Sequence, residues 1–117
     1  MSPVAHRSAM EMEKMVAESE TPVLVDFYAD WCGPCRAMAP VLDKLAVEMA
    51  GRASILKINV DEEPELAARF RISSIPTLIL FRAGRAVKTL VGLRPPAELR
   101  KLLEEASDKS RKTEVPL

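Results

Sequence analysis

Two cysteines, Cys32 and Cys35, stand three positions apart, and the chain contains no others. The only tryptophan, Trp31, precedes them, and Gly33-Pro34 separates them. Thiols at this spacing can make and break a disulfide, clamp a metal, close a structural disulfide or sit inert in a core. Used as a pair, they fit thiol–disulfide exchange: one thiolate attacks a disulfide sulfur, and the second thiol releases the reduced partner. A structural disulfide closing so short a loop would constrain the unfolded chain little. Zinc asks for about four ligands, whereas the chain has one histidine, His6, and no second cysteine pair. Covalent haem attachment asks for a histidine directly after the second cysteine, and Arg36 stands there. Redox chemistry with no metal is the expectation.

The two thiols are not equivalent, because the thiolate is the nucleophile and one cysteine needs a lowered pKa. Residues 33–49 read as a helix. Pro34 suits its first turn, where a missing N–H costs nothing, and Val41, Leu42, Leu45, Val47 and Met49 supply an apolar face. Pro40 falls inside this helix and is expected to kink it. Cys32 then stands at the helix N-terminus, where unpaired N–H groups and the macrodipole favour negative charge. Cys35 lies one turn further in, at i+3 on the same side. This spacing makes Cys32 the attacking thiol and Cys35 the resolving one.

A strand must deliver the chain to that helix. Val23-Leu24-Val25-Asp26-Phe27-Tyr28-Ala29 is apolar and β-branched, the pattern of a central strand buried on both faces. Residues 54–61 read as a second strand, so strand, helix and strand form a βαβ unit with a right-handed crossover. A weak helical pattern covers residues 9–18, and a short helix residues 63–70. Residues 77–81 and 86–91 pair as an antiparallel hairpin about Ala83-Gly84. Pro95-Pro96 opens a last helix ending near residue 106, and residues 107–117 read as a polar, frayed tail. The fold class is α/β, with one domain over residues 1–106.

Composition narrows the function. At 117 residues the chain can bury a core of its own. Lys+Arg and Asp+Glu both total 17, which removes bulk attraction to nucleic acid or an anionic membrane. No apolar run approaches a membrane span. Residues 1–20 contain charged positions such as Arg7, Glu11, Glu13 and Lys14 in place of a signal-peptide core. The expectation is a monomer in the cytoplasm, where a lone C-x-x-C is reactive more often than structural.

Two charges fall inside strands. Asp26 interrupts an apolar run, where a charge is expensive to bury. Burial should raise its pKa and let it exchange a proton with Cys35; the alternative is a paired structural carboxylate. Lys57 is a lone charge in the second strand, either paired with Asp26 or exposed. Trp31, beside a reactive thiol on a loop, reads as a partly exposed contact surface.

Together, Val25-Asp26-Phe27-Tyr28-Ala29, Trp31-Cys32-Gly33-Pro34-Cys35, Ala39-Pro40, Lys57, Val60-Asp61, Ile75-Pro76-Thr77, Gly84 and Gly92 resemble the thioredoxin family. The match runs from about residue 23 to residue 103. The resemblance implies the thioredoxin fold, a mixed central sheet of four to five strands with helices on both faces. It implies protein-disulfide reduction with no bound cofactor, the Cys32–Cys35 disulfide being the redox centre. Electrons would come from an NADPH-dependent flavoprotein, thioredoxin reductase. The resemblance puts Lys57 near Asp26 and favours general acid/base work for the aspartate. It implies a cis bond before Pro76, with backbone near Ile75 pairing with an extended substrate peptide. Trp31, Gly33, Pro34, Ile75, Pro76, Val91, Gly92 and Leu93 would line the groove, Gly92 allowing close backbone approach.

Some positions depart from the family. Tyr28 stands where many relatives have tryptophan, and the first strand is barely visible in residues 2–8. Ser73-Ser74 before Ile75 and Arg36 after Cys35 could tune partner choice. A competing function is a binding or scaffold module of the same fold, used independently of its thiols.

Overall fold

A computed structural model describes the backbone of residues 4–114 and the side-chain surroundings of residues 4–108. The elements in chain order are β1 (Ala5–His6), α1 (Ala9–Glu18), β2 (Val23–Tyr28), α2 (Gly33–Glu48), β3 (Ser54–Asn59), α3 (Pro64–Arg69), β4 (Thr77–Arg82), β5 (Arg85–Val91) and α4 (Pro96–Glu114). The five strands form one sheet in the order β1-β3-β2-β4-β5. β3 runs parallel to both β1 and β2, whereas β4 is antiparallel to β2 and β5. The sheet is thus mixed, with β2 at its centre, and the expected first strand survives as a two-residue edge.

Side chains alternate across β2, and each face has its own core. Leu24 joins Met38, Leu42 and Leu45 of α2, Leu78 of β4, and Leu99 and Leu103 of α4. Val23, Val25 and Phe27 join Met12 and Val16 of α1, Leu66 of α3, Ile58 and Ile79. Helices therefore cover both faces. α1 starts on a capping box: Ser8 Oγ accepts the Glu11 N–H, and Glu11 Oε1 accepts the Ser8 N–H.

Two helices differ from their sequence pattern. α2 contains Pro40 as expected, and its buried face is Cys35, Met38, Leu42 and Leu45, three or four residues apart. Val47, expected on that face, is 65% exposed, because it lies off this stripe. α4 does not end near Ala106 but continues to Glu114, with Ser107 buried. The segment between residues 107 and 114 has no glycine or proline to stop a helix, and half of it, Lys109, Arg111, Lys112 and Glu114, is made of good helix formers.

Candidate active site

Cys32 is the N-cap of α2 and Cys35 lies in its first turn. Their Cα atoms are 5.2 Å apart, and the two sulfurs pair as a disulfide. Both residues are buried, so exposure does not tell them apart. Their surroundings do. The Cys35 N–H donates to Cys32 Sγ at 3.2 Å, in the place where a capping oxygen normally accepts a free helical N–H. Any negative charge forming on that sulfur meets a donor and the positive end of the helix dipole. Cys32 Sγ also lies 3.8 Å from the Ile75 carbonyl oxygen, so this sulfur faces the Ile75 loop.

The Ile75–Pro76 peptide bond is cis. Beyond it, Thr77 begins β4, and its hydroxyl donates to the Ser74 carbonyl at 2.6 Å. The Gly92 N–H donates to the Pro76 carbonyl at 2.8 Å, bringing the end of β5 beside this loop. Close backbone approach is not what requires glycine at position 92 within the chain, because a Cβ there would meet no atom within 4 Å. Glycine suits the position because its φ is +86°, in the region that side chains avoid. Val91 and Leu93 flank it, 51% and 55% exposed. Trp31 is 68% exposed, and its indole N–H donates to Asp61 Oδ2 at 2.8 Å. A groove of about 360 Å³ runs between Trp31, Val60, Ile72, Ser73, Ser74 and Ile75. Sequence alone marked Asp61 but not its bond to Trp31, which spans 30 positions. Arg36 is turned back onto its own loop, where Nη1 donates to the Asp30 carbonyl at 2.8 Å.

Asp26 lies on β2 two positions from Leu24, hence on the sheet face that α2 covers. It is 1% exposed, and among the described residues neither carboxyl oxygen has a hydrogen-bond partner. Burial pushes this carboxyl up to about 7, while the positive charge of Lys57 pulls the other way. Lys57 is its register partner on β3. The lysine does not close a bond onto Asp26: its Nζ lies 4.3 Å from the centroid of the Tyr28 ring.

Among the described residues, no group of three or more His, Cys, Asp and Glu side chains could hold a metal, and no helix is long and apolar enough to cross a membrane. The site's redox capacity is the cysteine pair itself. A cysteine pair at a helix start, with a buried carboxyl in the apolar layer beneath that helix, makes up a centre for exchanging disulfides.

Comparison with known proteins gives the same answer. The family model described as Thioredoxin matches residues 3–105. Thioredoxin from Haemophilus influenzae is 45% identical over 105 residues, which cover 90% of this chain and 98% of that protein. Thioredoxin from Alicyclobacillus acidocaldarius is 55% identical over 82 residues, 70% of this chain and 78% of that one. Among solved structures, chloroplastic thioredoxin z superposes with a TM-score of 0.83 at 35% identity, covering 90% of this chain and 95% of the other. A point mutant of thioredoxin from Halobacterium salinarum gives a TM-score of 0.80 at 37% identity, covering 92% of this chain and 95% of the other. In fold, in sequence and in the chemistry of its cysteine pair, this chain belongs to the thioredoxin family of thiol–disulfide oxidoreductases.

Proposed function

We propose that this chain reduces protein disulfides, with Cys32 as the attacking thiolate and Cys35 as the resolving thiol. The observation that carries the assignment is the helix-capping contact: Cys32 Sγ accepts the Cys35 N–H at 3.2 Å. That contact stabilises a thiolate on Cys32 and offers none to Cys35. Cys32 attacks one sulfur of the substrate disulfide, forming a mixed disulfide and expelling the other sulfur as a thiolate that takes up a proton. Cys35 then attacks Cys32 Sγ, releasing the second substrate thiol and closing the Cys32–Cys35 disulfide. Two electrons pass to the substrate. Asp26, titrating near neutrality, takes the proton that Cys35 must lose. Lys57 tempers that affinity through its charge.

The substrate lies as an extended peptide against the Ile75 backbone. Trp31, Gly33, Pro34, Ile75, Pro76, Val91, Gly92 and Leu93 form its contact surface, and the exposure of Trp31, Val91 and Leu93 supports this role. Ser73 and Ser74 give the adjoining groove a polar wall that selects among partners. A thioredoxin reductase using NADPH returns the electrons, so the chain acts as a cytoplasmic electron carrier, working as a monomer.

Insulin reduction with dithiothreitol, or with a thioredoxin reductase and NADPH, tests the activity. We expect precipitation of the insulin B chain well above the uncatalysed rate, and a rate equal to background would sink the reading. Cys35→Ser should accumulate mixed disulfides through Cys32. Accumulation through Cys35 in Cys32→Ser would reverse the two roles.

A further inference from the structure

A buried carboxyl beside a lysine is normally drawn into a bonded pair, because an unpartnered buried charge is costly. Here the lysine is held elsewhere. Strand register sets His6 of β1, Lys57 of β3 and Asp26 of β2 in one row across the sheet. Tyr28 lies two positions beyond Asp26, on the same face. Its ring centroid is 4.3 Å from Lys57 Nζ, well inside the ~6 Å over which a ring face attracts a cation. His6 meets the same ring edge-on, with centroids 6.5 Å apart and an interplanar angle of 87°, and is itself paired with Glu62 at 2.7 Å. The ring thus has His6 as a neighbour and carries the ammonium over its face, while among the described residues both oxygens of Asp26 lack a hydrogen-bond partner.

We propose that Tyr28 is the positioning residue for Lys57: its ring face holds the ammonium off the Asp26 carboxyl and so sets the field under which Asp26 gains and loses its proton. The consequence for catalysis rests on the proton-transfer role of Asp26 given above; the placement of Lys57 does not. The groups that act on Asp26 support the proposal. Lys57 faces it from β3 and counters only part of the effect of burial. Leu78 of β4 stands opposite, and α2 and α4 cover this face with apolar side chains such as Met38, Leu42 and Leu99. Around the ring are Asp30, Glu62 and Asp26, with Asn59 as hydrogen-bond partner. Burial first, then Asp30, pushes the Tyr28 phenol up, so it stays neutral while Asp26 titrates.

The test is a carboxyl-carbon NMR titration of Asp26 in the disulfide form of the full chain. Tyr28→Phe keeps the ring face and should keep the wild-type midpoint. Tyr28→Leu, or Tyr28→Val if leucine unfolds the strand, should free the ammonium to approach Asp26 and lower the midpoint by about 0.5 pH unit or more. Lys57→Met should raise it. With methionine at position 57, losing the ring should no longer lower the midpoint. An equal fall with and without Lys57 would mean that the ring only shields Asp26 from water, and would overturn the proposal. An unchanged midpoint in the Tyr28→Leu and Tyr28→Val variants would overturn it too. The pH profile of insulin reduction separates the two claims: a moved NMR midpoint with an unmoved rate profile keeps the placement of Lys57 and removes Asp26 from the chemistry.

Discussion

Asp26 is the residue whose environment conflicts most with its charge. A carboxyl in the unfolded chain titrates near its ordinary value of 3.8, whereas burial raises this one to about 7 in the folded chain. Between those values the folded state holds a proton that the unfolded state has released. Stability therefore falls as pH rises from about 4 to about 7 and levels off above. The sign is opposite to that of a salt-bridged carboxylate, which stabilises as it ionises. The shift corresponds to a penalty on the order of 4 kcal/mol once the group is ionised, an upper figure because some hydration and relaxation offset it. Asp26→Leu should accordingly unfold at higher urea than the wild type at about pH 8, with the gain shrinking toward about pH 4. Urea midpoints at the two pH values decide it, and a gain independent of pH would show that the carboxyl does not titrate in the folded state. The burial of Asp26 was legible in the sequence, because one charge stood in a run of six apolar or aromatic neighbours. The seat of Lys57 over Tyr28 was not, since it depends on which residues of β2 and β3 stand side by side, and one residue of slip would turn a strand's side chains to the other face.

At the scale of elements, period and punctuation carried most of the information. Apolar runs bounded by turn residues marked β2, β3 and β4, and Pro34, Pro64 and Pro96 each fell in the first turn of a helix. β1 was faint because it is a two-residue edge strand, too short for any period to register. The hairpin between β4 and β5 shows what a pattern leaves out. Gly84 signalled the turn, but the backbone has φ of 53° at Ala83 and 79° at Gly84, the two successive left-handed residues of a type I′ turn. Alanine resists that region by roughly 1–2 kcal/mol, whereas asparagine tolerates it and Asn-Gly is the preferred pair there. Ala83→Asn should therefore stabilise the protein by about 1 kcal/mol, read as a rise in the urea midpoint with an unchanged slope. A neutral or lower midpoint would mean that the hairpin does not hold Ala83 in that conformation. The register shift between Leu80 and Phe81 had no such marker, since neither glycine nor proline accompanies it.

For the whole molecule, strand order decides where chemistry can sit. With β2 central, its C-terminal end leads into the Trp31–Cys35 loop while β4 brings Pro76 and β5 brings Gly92 to the same end of the sheet. That convergence depends on contacts between residues more than 40 positions apart, such as Cys32 with Ile75, and periodicity within single elements is blind to it. Motifs at family spacing made it legible. The opposite end of the sheet meets α4 just before the expected boundary. Leu102, Glu105 and Ala106 pack beside Leu80 and Arg82, at the end of β4 away from Thr77 and Pro76. In α4 the carbonyls of residues 103–106 take their i→i−4 partners from residues 107–110, and Ser107 is buried against the body of the protein. A chain stopped after Ala106 loses those bonds, exchanges them for water, and uncovers Leu103 and Ala106, both of which belong to the core. At about 0.5–1.5 kcal/mol net for each bond, and with terminal bonds at the weak end of that range, the truncated chain should be less stable by roughly 2 kcal/mol. Its insulin-reduction rate at low denaturant should stay at the full-length value, because no site element is touched. An unchanged urea midpoint would show that the segment beyond Ala106 adds nothing to α4, and a lost rate in a folded truncated chain would mean that the two ends of the sheet are coupled.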